Sequence, residues 1–103
     1  MENTRNITEV EELTIGRWGK AWQRFMQENY PVEATELKKS NRWYELALEI
    51  DLEAYSLWEL LRKQYAKANP RPTTFMETMK WENTRGFYVD HEVMEQVVLQ
   101  FRM

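Results

Sequence analysis

The chain has 103 residues, no cysteine, 43% hydrophobic and 14% aromatic residues, and a formal net charge of −3. This length fits one domain whose hydrophobic core needs no disulfide or metal to be stable, and the lack of cysteine excludes disulfides and thiolate metal sites. The negative charge argues against a general duplex-DNA binder; without an apolar run of roughly 20 residues or a signal peptide, we expect a cytoplasmic protein and no membrane span.

Many helix-forming residues, with only three glycines and three prolines, predict an all-α fold. We expect a compact bundle of four or five helices around one long central helix, with a polar N-terminal arm at 1–13 and a single helical domain at 14–103. Thr14 is a candidate N-cap for a first helix that ends near Tyr30. The apolar stripe of this helix, at spacings of three and four, is Ile15, Trp18, Trp22 and Phe25.

Pro31 suits the start of a short second helix at about 32–39. Ser40 and Asn41 are candidate caps for the long third helix, which runs to about Ala68. Its apolar face is wide enough to pack on several neighbours or on a second copy, so a homodimer stays open. The inward stripe of the third helix is Trp43, Leu46, Ile50, Ala54, Leu57, Leu61, Tyr65 and Ala68.

Thr74 followed by Glu77 predicts a capping box that opens a fourth helix. Gly86 could end or kink this helix, and Asp90 could cap a last segment. The sequence leaves open whether residues 74–102 form one kinked helix or two.

The one histidine, His91, stands before Glu92 and near Glu95, which resembles half of a zinc-binding helix. The second histidine of such a site is missing, and an exposed histidine in a helix is the simpler interpretation. The sequence also has no thiol nucleophile and no glycine-rich phosphate loop. We therefore predict no enzymatic activity, no cofactor and no metal.

An acidic stripe follows one face of the third helix. Glu45, Glu49 and Glu53 recur every four residues, with Leu52 and Ser56 between them, and like charges at this spacing repel. One interpretation is a surface that docks on a basic partner. The other is a solvated face, or one that pairs with basic residues of another helix.

Two groups of basic residues could contact nucleic acid. Trp18 and Trp22 flank the first group, and basic residues beside aromatic rings suit nucleic acid. The same tryptophans fit the buried stripe of the first helix, which favours a core role for them, and the first group could instead pair with the acidic stripe. The two groups are Arg17, Lys20 and Arg24 in the first helix, and Lys38, Lys39 and Arg42 where two helices meet.

Three segments resemble the TnpV-like proteins of transposons and other bacterial mobile elements. They are the run Ile-Gly-Arg-Trp-Gly-Lys at 15–20, the Leu-x-Leu-Glu-Ile-Asp-x-x-Ala stretch at 46–54, and Lys-Gln-x-Ala at 63–66. The resemblance covers the N-terminal half; further on, Trp81, Asn83 and Arg85 match the pattern only loosely. It implies a small helical protein without established catalytic residues, in which Gly16, Gly19 and Asp51 act as fold determinants.

These observations favour a non-enzymatic accessory protein of a mobile element or phage that binds a protein partner. By analogy with other short acidic proteins of mobile elements, this partner could be a host defence nuclease such as a CRISPR effector. The acidic stripe would then meet a basic surface. The alternative is a nucleic-acid-binding accessory factor of transposition that uses the two basic groups.

Overall fold

The computed structural model describes residues 14–103, so the predicted arm at 1–13 lies outside the described residues. Every regular element in residues 14–103 is helical, which confirms the all-α prediction. None of these helices is both long enough and apolar enough to cross a membrane. The helices are α1 (Arg17–Asn29), α2 (Pro31–Lys39), α3 (Trp43–Ala68) and α4 (Phe75–Val93), and a π-helical segment (Met94–Val98) continues α4.

The core lies along the N-terminal two thirds of α3, where α1, α2, α4 and the π-helical segment all pack on it. Trp22 of α1, Ile50 of α3 and Val93 of α4 are fully buried there, and the rings of Trp22 and Trp43 lie 5.3 Å apart. The predicted stripe of α3 is confirmed as far as Leu61. Its last member, Ala68, is exposed, because the core does not extend to that end of α3.

A carboxylate of α3 holds the start of α1. Asp51 accepts hydrogen bonds from the backbone N–H of Gly16 at 3.1 Å and of Gly19 at 3.0 Å, so it satisfies two donors that a helix N-terminus leaves unpaired. A Cβ on Gly16 would lie 2.6 Å from Asp51 Oδ2, and one on Gly19 would lie 2.6 Å from the carbonyl oxygen of Ala47. The N-cap is Gly16 and not Thr14, so that prediction was wrong. Both glycines are required for this close approach.

The turn between α2 and α3 is a Schellman motif. The N–H of Arg42 donates to Leu37 O at 3.0 Å and that of Asn41 to Lys38 O at 3.3 Å. Asn41 has φ 61°, a left-handed conformation that asparagine tolerates. Asn41 therefore ends α2 and does not cap α3, and Arg42 stands at the N-cap position of α3.

The C-terminal part of the chain forms one continuous helical element. The Thr74 side chain accepts a hydrogen bond from the N–H of Glu77 at 3.4 Å, which confirms the predicted cap. Gly86 and Asp90 both lie inside α4, so neither starts or ends a helix. The change comes later, where the π-helical segment widens the last turns.

The chain divides into two regions that share α3 and α4. The base holds the main core, which ends at Leu61 on α3 and resumes at Val89 on α4. Between these points, residues 62–88 form a two-helix hairpin whose turn is Pro70-Arg71-Pro72. We call this hairpin the arm; it is distinct from the N-terminal segment at 1–13. Apart from the π-helical segment that continues it, α4 packs on α3 and on neither α1 nor α2.

Candidate functional site

The acidic stripe lies on the surface of the base. Glu45, Glu49, Glu53 and Ser56 are exposed, and the side chain of Leu52 is 71% exposed between them. At 100° per residue, these positions point away from the buried face of α3. The stripe is therefore an accessible, acidic surface with one large apolar side chain in it.

One end of the stripe is neutralised by the C-terminal segment. Both Nη atoms of Arg102 donate to the carboxylate of Glu53, one of them to Oε1 at 3.2 Å. Within residues 14–103, no ion pair joins Glu45 or Glu49 to a basic side chain. The free charge of the stripe is thus concentrated at its N-terminal end.

The basic group of α1 does not pair with the acidic stripe. Arg17 Nη2 lies 3.2 Å from Asp90 Oδ1, and its guanidinium carbon lies 4.1 Å from the Trp18 ring centre. Lys20 and Arg24 are exposed. Trp18 and Trp22 are buried, which confirms the core interpretation for these rings and removes them as stacking surfaces for bases.

The second basic group is partly engaged within the fold. Arg42 Nη1 donates to the carbonyl oxygen of Met103 at 2.7 Å, and Lys38 Nζ lies 5.2 Å from the centre of the Trp43 ring. Lys39 is exposed. These contacts fix two of the three side chains against the base.

The histidine of the zinc-like half motif points to solvent. His91 Nε2 lies 3.6 Å from Glu95 Oε1, and both side chains are more than half exposed. Glu92 accepts a hydrogen bond from Gln96 at 2.9 Å. Across residues 14–103, no three histidine, cysteine or acidic side chains come together as a metal group.

The structure reveals a cluster that the sequence reasoning missed, in the arm. Three guanidinium groups lie over indole rings: Arg62 is 4.5 Å from the Trp58 centre, while Arg85 and Arg71 are 4.5 Å and 5.9 Å from that of Trp81. We call Arg62, Arg71 and Arg85 the arginine cluster. The sequence contains a motif that could have indicated these contacts: Trp-x-x-x-Arg occurs once in α3 and once in α4, and this spacing places the two side chains on one helix face.

The arginine cluster contains more positive charge than its neighbours balance. Arg71 pairs with Glu82 at 2.9 Å. Partial burial, together with repulsion from Arg62 and Arg71, holds the pKa of Arg85 below its usual value. Its Nε atom is buried and has no hydrogen-bond partner. Such a group is a candidate binding element.

The comparisons with known proteins support a family assignment alone. A family model described as "Transposon-encoded protein TnpV" matches residues 5–100. The match extends well past the N-terminal half that carried the resemblance, and it includes the arm, the whole of α4 and the π-helical segment. No curated protein and no solved structure matches the chain.

Proposed function

This chain belongs to the TnpV family of transposon-encoded proteins, and we propose that it is a non-enzymatic accessory protein that binds another protein in the cytoplasm. A reaction centre would need reactive groups that this sequence scarcely offers, since it has one histidine and no cysteine. The proposal depends on the acidic stripe.

The observation that supports it is the combination of free charge and apolar surface on one rigid helix. Glu45 and Glu49 are exposed and have no ion-pair partner within residues 14–103. Leu52, one turn further on, presents most of its side chain to solvent. A partner with a basic surface would gain charge complementarity from the glutamates. Burial of the exposed Leu52 side chain against that partner would remove apolar surface from water.

The partner that fits this chemistry is a protein with a basic groove. Nucleases carry such grooves for their substrates, and an acidic helix can occupy a groove of this kind in place of nucleic acid. We propose a host defence nuclease, such as a CRISPR effector, as the specific target and inhibition of substrate binding as the mechanism.

The second candidate, a nucleic-acid-binding factor of transposition that uses the predicted basic groups, has less support. Arg17, Lys38 and Arg42 are all engaged by other parts of the base. The exposed remainder is Lys20, Arg24 and Lys39, and the two tryptophan rings that flank the first group are buried. If this candidate holds, neutralising Lys20 and Arg24 abolishes a mobility shift at low salt.

The test of the leading proposal is charge reversal of the stripe. We expect Glu45→Lys with Glu49→Lys to weaken partner binding at least tenfold, because attraction becomes repulsion. The matched control is Glu28→Lys with Glu36→Lys, which makes the same charge change on exposed residues of α1 and α2.

The measurement has two stages. Affinity capture from a bacterial host lysate, quantified by mass spectrometry, compares the wild type with both variants, and a captured nuclease is then assayed for substrate cleavage. A protein retained by the wild type and the control but lost by the reversal variant, and inhibited by the wild type, supports the proposal. Capture that is unchanged by the reversal refutes it.

A further inference from the structure

The arm differs in charge from the rest of the chain. Residues 62–88 contain six Lys or Arg against two Glu, while the remaining residues contain eight basic against fifteen acidic ones. An overall negative protein thus has a basic hairpin at one end. This separation makes the arm the more basic region of the chain, and it follows the acidic stripe along α3.

Fixed rings hold the arginine cluster in place. The Trp81 indole N–H donates to the carbonyl oxygen of Asn69 at 2.8 Å, and the Tyr65 ring packs on Trp81 with centres 5.7 Å apart. Because Arg85 and Arg71 both lie over this anchored indole, their guanidinium groups lose less freedom when they bind a ligand.

The cluster is electrostatically incomplete in the described structure. Arg62 and Arg85 come from different helices and form no ion pair within residues 14–103; Glu82, which pairs with Arg71, attracts Arg85 only at longer range. The Nε of Arg85 is buried without an acceptor. Like charges held close together disfavour each other's charged form, and a bound anion relieves this repulsion. Planar guanidinium groups match the oxygens of phosphate in paired hydrogen bonds.

Ring and amide surfaces lie beside the cluster on α4. Tyr88, one turn beyond Arg85, packs on Tyr65 with ring centres 6.0 Å apart and borders two shallow depressions. One, of about 520 Å³, is also lined by Asn83, Thr84, Phe87 and His91. The other, of about 340 Å³, is also lined by Leu61, Gln64, Tyr65, Ala68 and Asn69.

We propose that the arm binds single-stranded nucleic acid, with the arginine cluster on the phosphate backbone and Tyr88 beside an unstacked base. The exposed rings favour a nucleic acid over an acidic protein segment as the ligand. Bases stack on such rings, whereas the carboxylates of an acidic segment would contact only the arginines. An unpaired strand fits better than a duplex, whose bases are already stacked. This site is independent of the acidic stripe.

The experiment is fluorescence anisotropy with a labelled mixed-sequence oligonucleotide of about 20 nucleotides, titrated with full-length protein at low salt. We expect Arg62→Gln with Arg85→Gln to weaken binding at least tenfold. It should also reduce the slope of log K against log salt by about 1.4, since each lost phosphate contact contributes about 0.7 for a single strand. Lys20→Gln with Arg24→Gln removes the same charge from the base and should change affinity less than twofold.

Additional measurements distinguish the contribution of ring stacking from that of charge. Tyr88→Leu should weaken binding about fivefold or more without changing the salt slope, because it removes a ring but no charge. The same sequence as a duplex should bind more weakly than the single strand. Circular dichroism should show unchanged folding of the arginine variant, because it removes two ring contacts and the repulsion between the guanidinium groups, but no hydrogen bond within residues 14–103.

Three results would overturn the proposal. The first is an absence of binding by the wild type at tens of micromolar protein. The second is an equal loss of affinity in the Lys20/Arg24 control, which would place the site on α1. The third is displacement of the oligonucleotide by polyglutamate at equal charge concentration, which would identify an acidic protein as the ligand.

Discussion

The base and the arm share α3 and α4, yet they are stabilised differently. In the base, α1 and α2 close over α3, and side chains such as Trp22, Ile50 and Val93 lose all contact with solvent. In the arm, Trp81 is the one buried side chain of residues 62–88, while Phe75 and Phe87 are 75% and 80% exposed. Packing in the base determines the fold, and the arm presents charge and rings to solvent.

The largest expected difference concerns two tryptophans. Trp22→Ala should lower the free energy of unfolding by about 3–5 kcal/mol, because it leaves a cavity in a closed core. Trp81→Ala should cost about 2 kcal/mol, since solvent and the flanking side chains can fill the space in a two-helix arm. Urea denaturation followed by circular dichroism measures both, and equal losses would contradict the division into base and arm.

Replacing either of two helix glycines with alanine should change the stability of the fold in opposite directions. Gly19→Ala places a Cβ 2.6 Å from the carbonyl oxygen of Ala47, and this overpacking should destabilise the fold by about 2–3 kcal/mol. Gly86→Ala meets no atom within 4 Å and should stabilise α4 by about 0.5–1 kcal/mol. Melting temperatures of the two variants show whether each substitution stabilises or destabilises the fold. A lower melting temperature for Gly86→Ala would indicate that Gly86 makes a close contact with another molecule, such as a second copy of the chain.

The smallest expected contrast compares two aspartates in the base. Asp51→Asn keeps one acceptor for the N–H groups of Gly16 and Gly19, and should lose about 1–2 kcal/mol. Asp90→Asn breaks an ion pair with Arg17 in which the side chains are 43% and 60% exposed, and should lose less than about 0.5 kcal/mol. Urea titration resolves the difference; equal effects would show that Asp51 is no more than a surface charge.

Much of the base could be predicted from sequence because its signals are local or periodic. The three-and-four spacing of apolar residues predicted the buried faces of α1, which includes Trp18 and Trp22, and of α3, which includes Ile50. The pattern of Thr74 followed by Glu77 predicted the cap of α4. The prediction for Asn41 was wrong for a local reason, the turn that ends α2, whereas the prediction for Thr14 was wrong because of a distant residue. Thr14 is a good cap in isolation, but Asp51 satisfies the start of α1 from another helix.

The candidate sites were less predictable for a related reason. The acidic stripe is a pattern on one helix, so its position could be predicted, but the sequence left open whether it is exposed or paired. Its pairing with Arg102 joins residues 49 positions apart. The arginine cluster arises only when α3 and α4 fold against each other. Each Trp-x-x-x-Arg motif is unremarkable alone, and their convergence depends on the register of the hairpin.

The geometry of the hairpin has a consequence for how this fold can vary. α3 leaves the core at Leu61 and α4 returns to it at Val89, so residues 62–88 are an excursion that starts and ends at one place. Within the arm, α3 contributes residues 62–68, which is about two turns, and α4 contributes residues 75–88, which is about four. Because the core of the base ends at Leu61 and Val89, we expect the base to keep its architecture when the hairpin between these residues is shortened or replaced by a loop.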